Sequence, residues 1–179
     1  MSTILITGGA GFIGSHTCFL LLQRGYNVFV IDSFVNSSPE SLKRVLKISI
    51  KEKVSFSSKL YVFKGDLRDK AFIKKIFEFS KEIRKEIKSV IHFAGLKSVK
   101  ESILNPKKYW DFNVNSTINL VETMSEFNCS TIVFSSSASI YSTQSINKPI
   151  DEKSEIKPTN PYGECKLAIE NLLKDVYEK

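Results

Sequence analysis

Short apolar runs alternate with longer amphipathic stretches along the chain, and this alternation predicts its secondary structure. Near-continuous apolar runs rich in β-branched residues are typical of strands buried on both faces. Five such runs occur, at Thr3–Thr7, Asn27–Ile31, Lys59–Lys64, Ser89–Phe93 and Thr131–Ser135. Apolar positions spaced three and four apart predict helices after each run, at residues 12–24, 39–51, 69–86, 106–127 and 161–178.

The regular order of strand and helix indicates the fold class. It is typical of an α/β fold with a doubly wound parallel sheet of Rossmann type. Gly25 stands where a helix C-terminal cap belongs, and Pro106 and Pro161 suit the first turns of their helices. Residues 141–160 contain two prolines and are expected to form a loop. We expect a single domain over residues 1–179.

Composition and charge narrow the class of protein. The chain is 42% hydrophobic and 25% charged, as in ordinary globular domains. Its net charge of +7 comes mostly from lysines spread over predicted helices, where Lys43, Lys47 and Lys51 lie opposite an apolar face. Nucleic-acid binding would require clustered basic residues interleaved with aromatics. A solvated helix face is therefore the expected role of these lysines.

Other features of the sequence bear on the compartment and on metals. The N-terminus lacks the pattern of a signal peptide, and no run approaches the roughly 18 apolar residues of a membrane span. The three cysteines, Cys18, Cys129 and Cys165, show no paired spacing. We therefore expect a cytoplasmic protein with no membrane association, no metal site and no disulfide framework.

A glycine-rich loop directly follows the first predicted strand and opens the first helix. Its glycines are Gly8, Gly11 and Gly14. They allow a tight turn and a close approach of backbone to a pyrophosphate, and the helix N-terminus offers free amides to the anion. A purely structural loop is the alternative, but this position between a strand and a helix favours phosphate binding.

Asp32 closes the second predicted strand, 24 residues after Gly8. A carboxylate there accepts hydrogen bonds from an adenosine ribose and repels a 2′-phosphate, so NAD is expected rather than NADP. An aspartate at a strand end is also a common turn cap. The glycine loop upstream favours the ribose role.

Polar and small residues follow the other predicted strands at the edge where open α/β sheets bind ligands. Asp66 and Leu67 follow the third strand, and Ala94 and Gly95 follow the fourth. The fifth strand leads into Ser137, which is expected to bond a substrate hydroxyl or to cap the strand end. The convergence of these strand ends indicates a ligand site at this edge.

Tyr162 and Lys166 are four residues apart on the last predicted helix and therefore share one face. An ammonium close to a phenol favours the phenolate, which makes a base that works near neutral pH. This pair is the candidate catalytic centre.

Together these motifs resemble the UDP-glucose 4-epimerase family, a branch of the extended short-chain dehydrogenase/reductases, over essentially all 179 residues. The resemblance rests on the glycine loop, Tyr162-x-x-x-Lys166 and the stretches 91–97 and 134–138. It implies that Tyr162 is the base, that Lys166 holds the nicotinamide ribose and that Ser137 positions the sugar. The NAD site implied by the resemblance includes Phe12, Ile13, Asp32, Asn36, Asp66, Leu67, Phe93, Lys97 and Asn113.

The resemblance also implies the reaction and the partners. The reaction is C4 epimerisation of a UDP-hexose through a transient 4-keto sugar, and homodimers formed through helices are usual. The sequence departs from the family pattern at Lys100, Ser116 and Ser142. A nucleotide-sugar 4,6-dehydratase is disfavoured because Ser137 is followed by Ala138 and Ser139, where dehydratases place an acid.

Family members continue well past the Tyr-Lys pair. We therefore expect the last sheet strands and the sugar-nucleotide domain to be absent from this chain, which predicts little or no turnover by it alone. The alternatives are a non-catalytic NAD-binding fragment and one half of a split epimerase that a second polypeptide completes.

Overall fold

The computed structural model of the protein describes residues 2–51, 59–142 and 149–178. It contains two compact units. The first consists of the chain up to Ala94 together with Asn119–Ser135, and the second of Gly95–Ile118 together with the chain from Ser136 onward. The two units are described separately below.

A five-stranded parallel sheet forms the centre of the first unit, with strand order β3-β2-β1-β4-β5. This arrangement confirms the predicted doubly wound α/β fold. The strands are β1 (Thr3–Thr7), β2 (Asn27–Asp32), β3 (Leu60–Lys64), β4 (Ile87–His92) and β5 (Thr131–Phe134). β1 lies between β2 and β4, so Thr7 is in register with Ile31 on one side and with His92 on the other.

Burial along the strands follows their place in the sheet. Every residue of the central strands β1 and β2 is buried, as expected for strands covered by helices on both faces. In the edge strand β5 exposure alternates, and Val133 is 59% exposed. β5 pairs with β4 along one side only, among the residues that the structure describes.

Two hydrophobic clusters pack on the sheet in the first unit. One joins Leu5 and Phe29 to Ile73, Phe77 and Leu120, and the other joins sheet residues to Cys18, Leu22, Leu42 and Val45. The helices that supply these side chains are α1 (Phe12–Gln23), α2 (Pro39–Lys51), α3 (Lys70–Glu82) and the C-terminal part of α6 (Ser116–Glu126). All four helices lie within the ranges predicted from the sequence.

The helix predicted at 69–86 is shorter in the structure. Asp69 caps α3 by accepting a hydrogen bond from the Phe72 N–H, and the helix ends at Glu82. Arg84 then takes a left-handed conformation, with φ of 57°, and β4 begins at Ile87. The chain must reverse direction here to enter the sheet, and a left-handed residue achieves the reversal within a few positions.

The second unit contains more irregular helices than the sequence predicts. α4 (Val99–Leu104) was not predicted, although Ser98 caps it. The helix predicted at 106–127 consists of three parts: α5 (Pro106–Tyr109), a π-helical turn (Trp110–Asn115) and α6. A π turn is a short insertion within an α-helical run, and the helical spacing on either side of it remains, so periodicity does not reveal it.

The last helix, α7 (Pro161–Tyr177), lies within the predicted range. It follows a short 3₁₀ turn (Ala138–Ile140) and an isolated antiparallel bridge between Tyr141 and Ile156. The predicted loop at 141–160 is partly confirmed by this irregular backbone, and its residues 143–148 lie outside the described parts of the chain. None of the helices in the described ranges is long and apolar enough to cross a membrane.

Candidate cofactor-binding and catalytic residues

The glycine loop of the first unit is packed against backbone at Gly8. Gly8 adopts φ of +68°, and a Cβ built on it would lie 2.7 Å from the Ala94 nitrogen. The Gly8 N–H donates to the Ile31 carbonyl at 2.9 Å. Only glycine satisfies both the left-handed backbone and the contact with the turn after β4.

Gly14 brings the first turn of α1 against the same loop. A Cβ on Gly14 would lie 2.4 Å from the Gly8 carbonyl oxygen. Gly11, the N-cap residue, has no side chain to cap the helix, and no acidic residue lies in the first turn. Phe12 and Ile13 of this turn are 80% and 59% exposed. The amides at the start of α1 are thus a favourable place for an anion.

Asp32 is buried at the end of β2 and accepts hydrogen bonds from three donors. These are the Ala10 N–H (2.9 Å), the Phe34 N–H (2.9 Å) and the Ser37 hydroxyl (2.7 Å). A carboxylate offers about four acceptor positions, and these three bonds use three of them. The bond from Ala10 ties Asp32 to the glycine loop. Asn36 is exposed in the turn between Phe34 and Ser37.

The end of β3 lies beside Asp32, because the Gly65 N–H donates to the Asp32 carbonyl at 3.1 Å. Asp66 forms an ion pair with Arg68 at 2.7 Å. The hydrogen bond from Arg68 lowers the pKa of Asp66, so this carboxylate is ionised at neutral pH. Leu67 is buried behind it. The first unit therefore gathers the glycine loop, Asp32 and Asp66 at one edge of the sheet.

The turn after β4 is held to β1 by a buried pair. Thr7 Oγ1 lies 2.6 Å from His92 Nδ1, and the Ala94 N–H donates to the same hydroxyl at 3.3 Å. His92 is fully buried and stacks on Phe134 with ring centroids 5.6 Å apart. These contacts place His92 in the core, and they fix Phe93 and Ala94 next to Gly8.

In the second unit, Asn113 holds the turn that contains Gly95 and Lys97. Its buried side chain accepts a hydrogen bond from the Leu96 N–H at 2.8 Å and donates to the Leu96 carbonyl at 3.0 Å. A Cβ on Gly95 would lie 3.0 Å from Asn113 Oδ1. Asn113 thus shapes this turn from within, while the exposed Lys97 extends outward from it.

The π turn around Asn113 is held by hydroxyl groups that sequence reasoning did not use. Ser116 donates to the carbonyl of Phe112 at 2.7 Å, and Thr117 donates to the carbonyl of Asn113 at 2.6 Å. Both serine and threonine commonly bond carbonyls one turn back in helices. The serine at 116, a departure from the family pattern, therefore contributes a bond that glycine lacks.

Tyr162 lies in the first turn of α7, whose start is closely fixed. Asn160 caps the helix by accepting a hydrogen bond from the Gly163 N–H at 2.9 Å. A Cβ on Gly163 would lie 2.4 Å from the Ser139 carbonyl oxygen. The Ser137 hydroxyl oxygen accepts a hydrogen bond from the Ser139 N–H at 3.2 Å. The segments that carry Ser137 and Tyr162 are thus in backbone contact.

Lys166 is buried one helical turn after Tyr162. It is 5% exposed, and its Nζ lies 5.8 Å from the centroid of the Tyr162 ring. Burial lowers the pKa of Lys166 to about 8. The amine is therefore mostly charged at neutral pH, and it loses its proton only slightly above neutral pH.

Metal chemistry finds no support in the described ranges, where no group of three or more His, Cys, Asp or Glu side chains is placed to hold an ion. The cysteines are buried. Burial raises the pKa of Cys18 to about 12 and that of Cys165 to about 11. Both thiols are therefore protonated core groups at neutral pH.

Sequence and structure comparisons identify similar proteins. A family model described as GDP-mannose 4,6 dehydratase matches residues 5–179. The bifunctional UDP-glucose 4-epimerase and UDP-xylose 4-epimerase 3 of Arabidopsis thaliana is 45% identical over 174 residues, 97% of this chain and 47% of that protein. The UDP-glucose 4-epimerase of Bacillus subtilis (strain 168) is 43% identical over 174 residues, 97% of this chain and 48% of that protein.

A solved structure shows the same relation. The UDP-glucose 4-epimerase from Bifidobacterium longum, in complex with NAD⁺ and UDP, has a TM-score of 0.86 at 42% identity. The match covers 98% of this chain and 49% of that one. The chain thus spans about half the length of the curated relatives and of the structure that it matches.

Proposed function

The chain belongs to the family that the GDP-mannose 4,6-dehydratase model describes, and from this membership we propose that it is the NAD-binding part of a UDP-hexose 4-epimerase. The proposal makes it an isomerase of nucleotide sugars that acts in galactose metabolism in the cytoplasm. Relatives that carry the epimerase name are 43% and 45% identical to it. Those relatives are about twice as long as this chain, which covers 47% and 48% of them.

The single observation that carries the proposal is the glycine loop with its helix start. Added Cβ atoms at Gly8 and Gly14 would meet the chain's own backbone at 2.7 and 2.4 Å, so only glycine allows the loop to pack this closely against the turn after β4 and the start of α1. The start of α1 has no side-chain cap and suits a pyrophosphate. Asp32 keeps one acceptor position for the ribose. This arrangement supports NAD.

The resemblance implies the other residues of the NAD site. They would be Phe12, Ile13, Asn36, Asp66, Leu67, Phe93, Ala94, Gly95, Lys97 and Asn113.

Bound NAD⁺ would supply the oxidising power, by taking a hydride from sugar C4 and returning it to the opposite face. The chain's own residues take up and return the proton of the C4 hydroxyl. Tyr162 takes the proton of the C4 hydroxyl, and Lys166 supplies positive charge beside the phenolate. Ser137 bonds a sugar hydroxyl; its oxygen accepts the Ser139 N–H, and its own proton can still donate. On the return step Tyr162 gives the proton back, so neither proton nor cofactor is consumed.

Dehydration at C6 is the competing reaction in a family whose model carries a dehydratase name. It needs an acid that protonates the leaving hydroxyl. Ser137 is followed by Ala138 and Ser139, and neither side chain is an acid at neutral pH. The residues around the 3₁₀ turn therefore favour epimerisation.

The proposed partners rest on the resemblance to relatives about twice as long. The relatives' second halves would supply the sugar-nucleotide domain and further strands, and the exposed side of β5 offers backbone groups to one more strand. A complementing C-terminal half is therefore one partner, and a homodimer through α5–α6 and α7 is another. A non-catalytic NAD-binding role for this chain alone is the second candidate function.

Calorimetric titration tests the proposal directly. We expect NAD⁺ to bind the purified chain. We expect Asp32→Asn to weaken this binding without removing the contacts between the pyrophosphate and the glycine loop. UDP-galactose should then bind weakly or not at all. Failure of NAD⁺ to bind a folded chain would overturn the cofactor assignment. Tight UDP-galactose binding with conversion to UDP-glucose would instead show that the chain is catalytically complete.

A further inference from the structure

A second tyrosine lies against the proposed base. Tyr109, at the end of α5, has no exposed surface. Its ring meets the Tyr162 ring nearly edge to face, with centroids 6.5 Å apart and an interplanar angle of 87°. Edge-to-face pairs are a preferred aromatic geometry and contribute about 0.5–1.5 kcal/mol beyond the area they bury.

The hydroxyl group of Tyr109 is held at its far end by a carboxylate. It donates to Glu101 Oε2 at 3.1 Å, while Lys108 donates to Oε1 of the same residue at 2.7 Å. Burial, together with this bond, raises the pKa of Tyr109, so its hydroxyl stays protonated and remains a donor. The hydrogen bonds from Lys108 and Tyr109 lower the pKa of Glu101, so the carboxylate stays charged.

These side-chain contacts connect three helices in succession. Glu101 belongs to α4, Tyr109 ends α5, and Tyr162 opens α7. The backbone of Tyr162 is fixed by the Asn160 cap and by the contact of Gly163 with Ser139. Those contacts fix the backbone and do not by themselves set the χ1 and χ2 angles of the phenol ring, which contacts Tyr109 and lies 5.8 Å from Lys166 Nζ.

We propose that Tyr109, anchored by Glu101, is the positioning residue that orients the ring of Tyr162. This inference rests on the proposed function, because the orientation of the Tyr162 ring matters only if Tyr162 acts as the base. A catalytic group must be held within about 0.5 Å of its working position by neighbours whose own rotamers are locked. Tyr109 meets that requirement, since burial and the Glu101 bond fix both ends of its side chain.

The experiment compares variants that keep or remove the ring. Tyr109→Phe keeps the ring and loses the Glu101 bond, whereas Tyr109→Leu loses the ring. Two controls accompany them: Tyr177→Leu removes an 89% exposed ring of α7, and Ile73→Ala destabilises the distant core. Unfolding curves establish that each variant is folded at the temperature used. If Tyr109→Leu is not folded, Tyr109→Met takes its place.

The first readout compares NAD⁺ with ADP, which lacks the nicotinamide ribose that the Tyr162–Lys166 pair would hold. Tyr109→Leu should weaken NAD⁺ binding by about tenfold, as expected for the loss of a contact worth roughly 1.4 kcal/mol. ADP binding should stay within about twofold, and Tyr109→Phe should keep most of the NAD⁺ affinity. Equal losses for both ligands, or no recovery with phenylalanine, would overturn the proposal.

The second readout needs no cofactor, so it decides the inference even if NAD⁺ does not bind. NMR titration of the Lys166 Cε signal should give a pKa of about 8 in the unaltered chain. Once the Tyr162 ring is released, water reaches Lys166, and its pKa should rise toward the ordinary 10.5 in Tyr109→Leu. It should stay near 8 in Tyr109→Phe and in Ile73→Ala. An unchanged pKa in Tyr109→Leu, or an equal rise in Ile73→Ala, would refute the positioning role.

Discussion

Replacing Gly14 with alanine tests whether the glycine loop depends on close backbone contact. A Cβ at this position would lie 2.4 Å from the Gly8 carbonyl oxygen and 2.7 Å from the Gly9 Cα. Ordinary contact begins at 3.4 Å. The start of α1 would therefore have to move away from the loop by about 1 Å, in an interior that is packed as densely as an organic crystal.

Two effects oppose each other in this variant. Alanine favours a helix over glycine by about 0.8–1.0 kcal/mol, whereas inserting a carbon into packed structure costs about 1–3 kcal/mol. The steric cost should dominate, because the atoms that would be met are backbone and have no rotamer to change. We expect a net loss of about 1–2 kcal/mol, which lowers the Tm of a chain of this size by about 2–8 °C.

Gly11→Ala is the matched control. Gly11 has φ of −68°, which any residue adopts, and its Cβ would lie 3.3 Å from the same Gly8 oxygen. Thermal unfolding followed by circular dichroism measures the stability of both variants. If Gly14→Ala has the same Tm as the unaltered chain and as Gly11→Ala, the argument from backbone contact is wrong.

Three further predictions concern stability. Asn160→Ala removes the cap of α7 and should cost about 1 kcal/mol, whereas Asn160→Asp should retain it; urea unfolding measures both. Ile73→Ala opens a cavity in the core and should cost about 2–5 kcal/mol, while Ile103→Ala, at a position 60% exposed, should stay within about 0.5 kcal/mol in the same assay. Burial lowers the pKa of Lys166 to about 8, so the unfolded chain holds this proton more tightly and folded stability should rise as pH increases from about 8 to 10.5. Lys166→Met should therefore be more stable than the unaltered chain near pH 7, by on the order of 3 kcal/mol, and urea unfolding should show this gap narrowing toward pH 10.5.

The sheet was predictable because its central strands are apolar on both faces. β1 and β2 are wholly buried, and no helical spacing produces such a run. The residues at the strand ends were predictable for a related reason, since parallel strands bring their carboxyl ends to one edge. The glycine loop and Asp32 therefore lie as the order of elements requires, and their ligand roles stay predictions.

Contacts made between distant helices were not predictable from a local pattern. Tyr109 has the spacing of an ordinary core residue, and nothing in the sequence shows that its hydroxyl reaches Glu101 or that its ring meets Tyr162. The left-handed Arg84 was missed because an amphipathic pattern continues past the point where α3 ends. In each case tertiary packing determines the geometry, and the local sequence pattern carries no sign of that packing.

The order of strands in the sheet bears on how the chain is made. β1 is the first strand to leave the ribosome, but one of its two neighbours is β4, and the Thr7–His92 contact spans 85 residues. At about 5–20 residues per second, synthesis needs roughly 4–17 s to cover that separation. Throughout this interval one side of a strand that is wholly buried in the finished sheet lacks its partner, and such an edge readily pairs with other chains. The speed of translation between β1 and β4, and the chaperones present during that time, should therefore govern the yield of folded protein more than the stability of the finished sheet does.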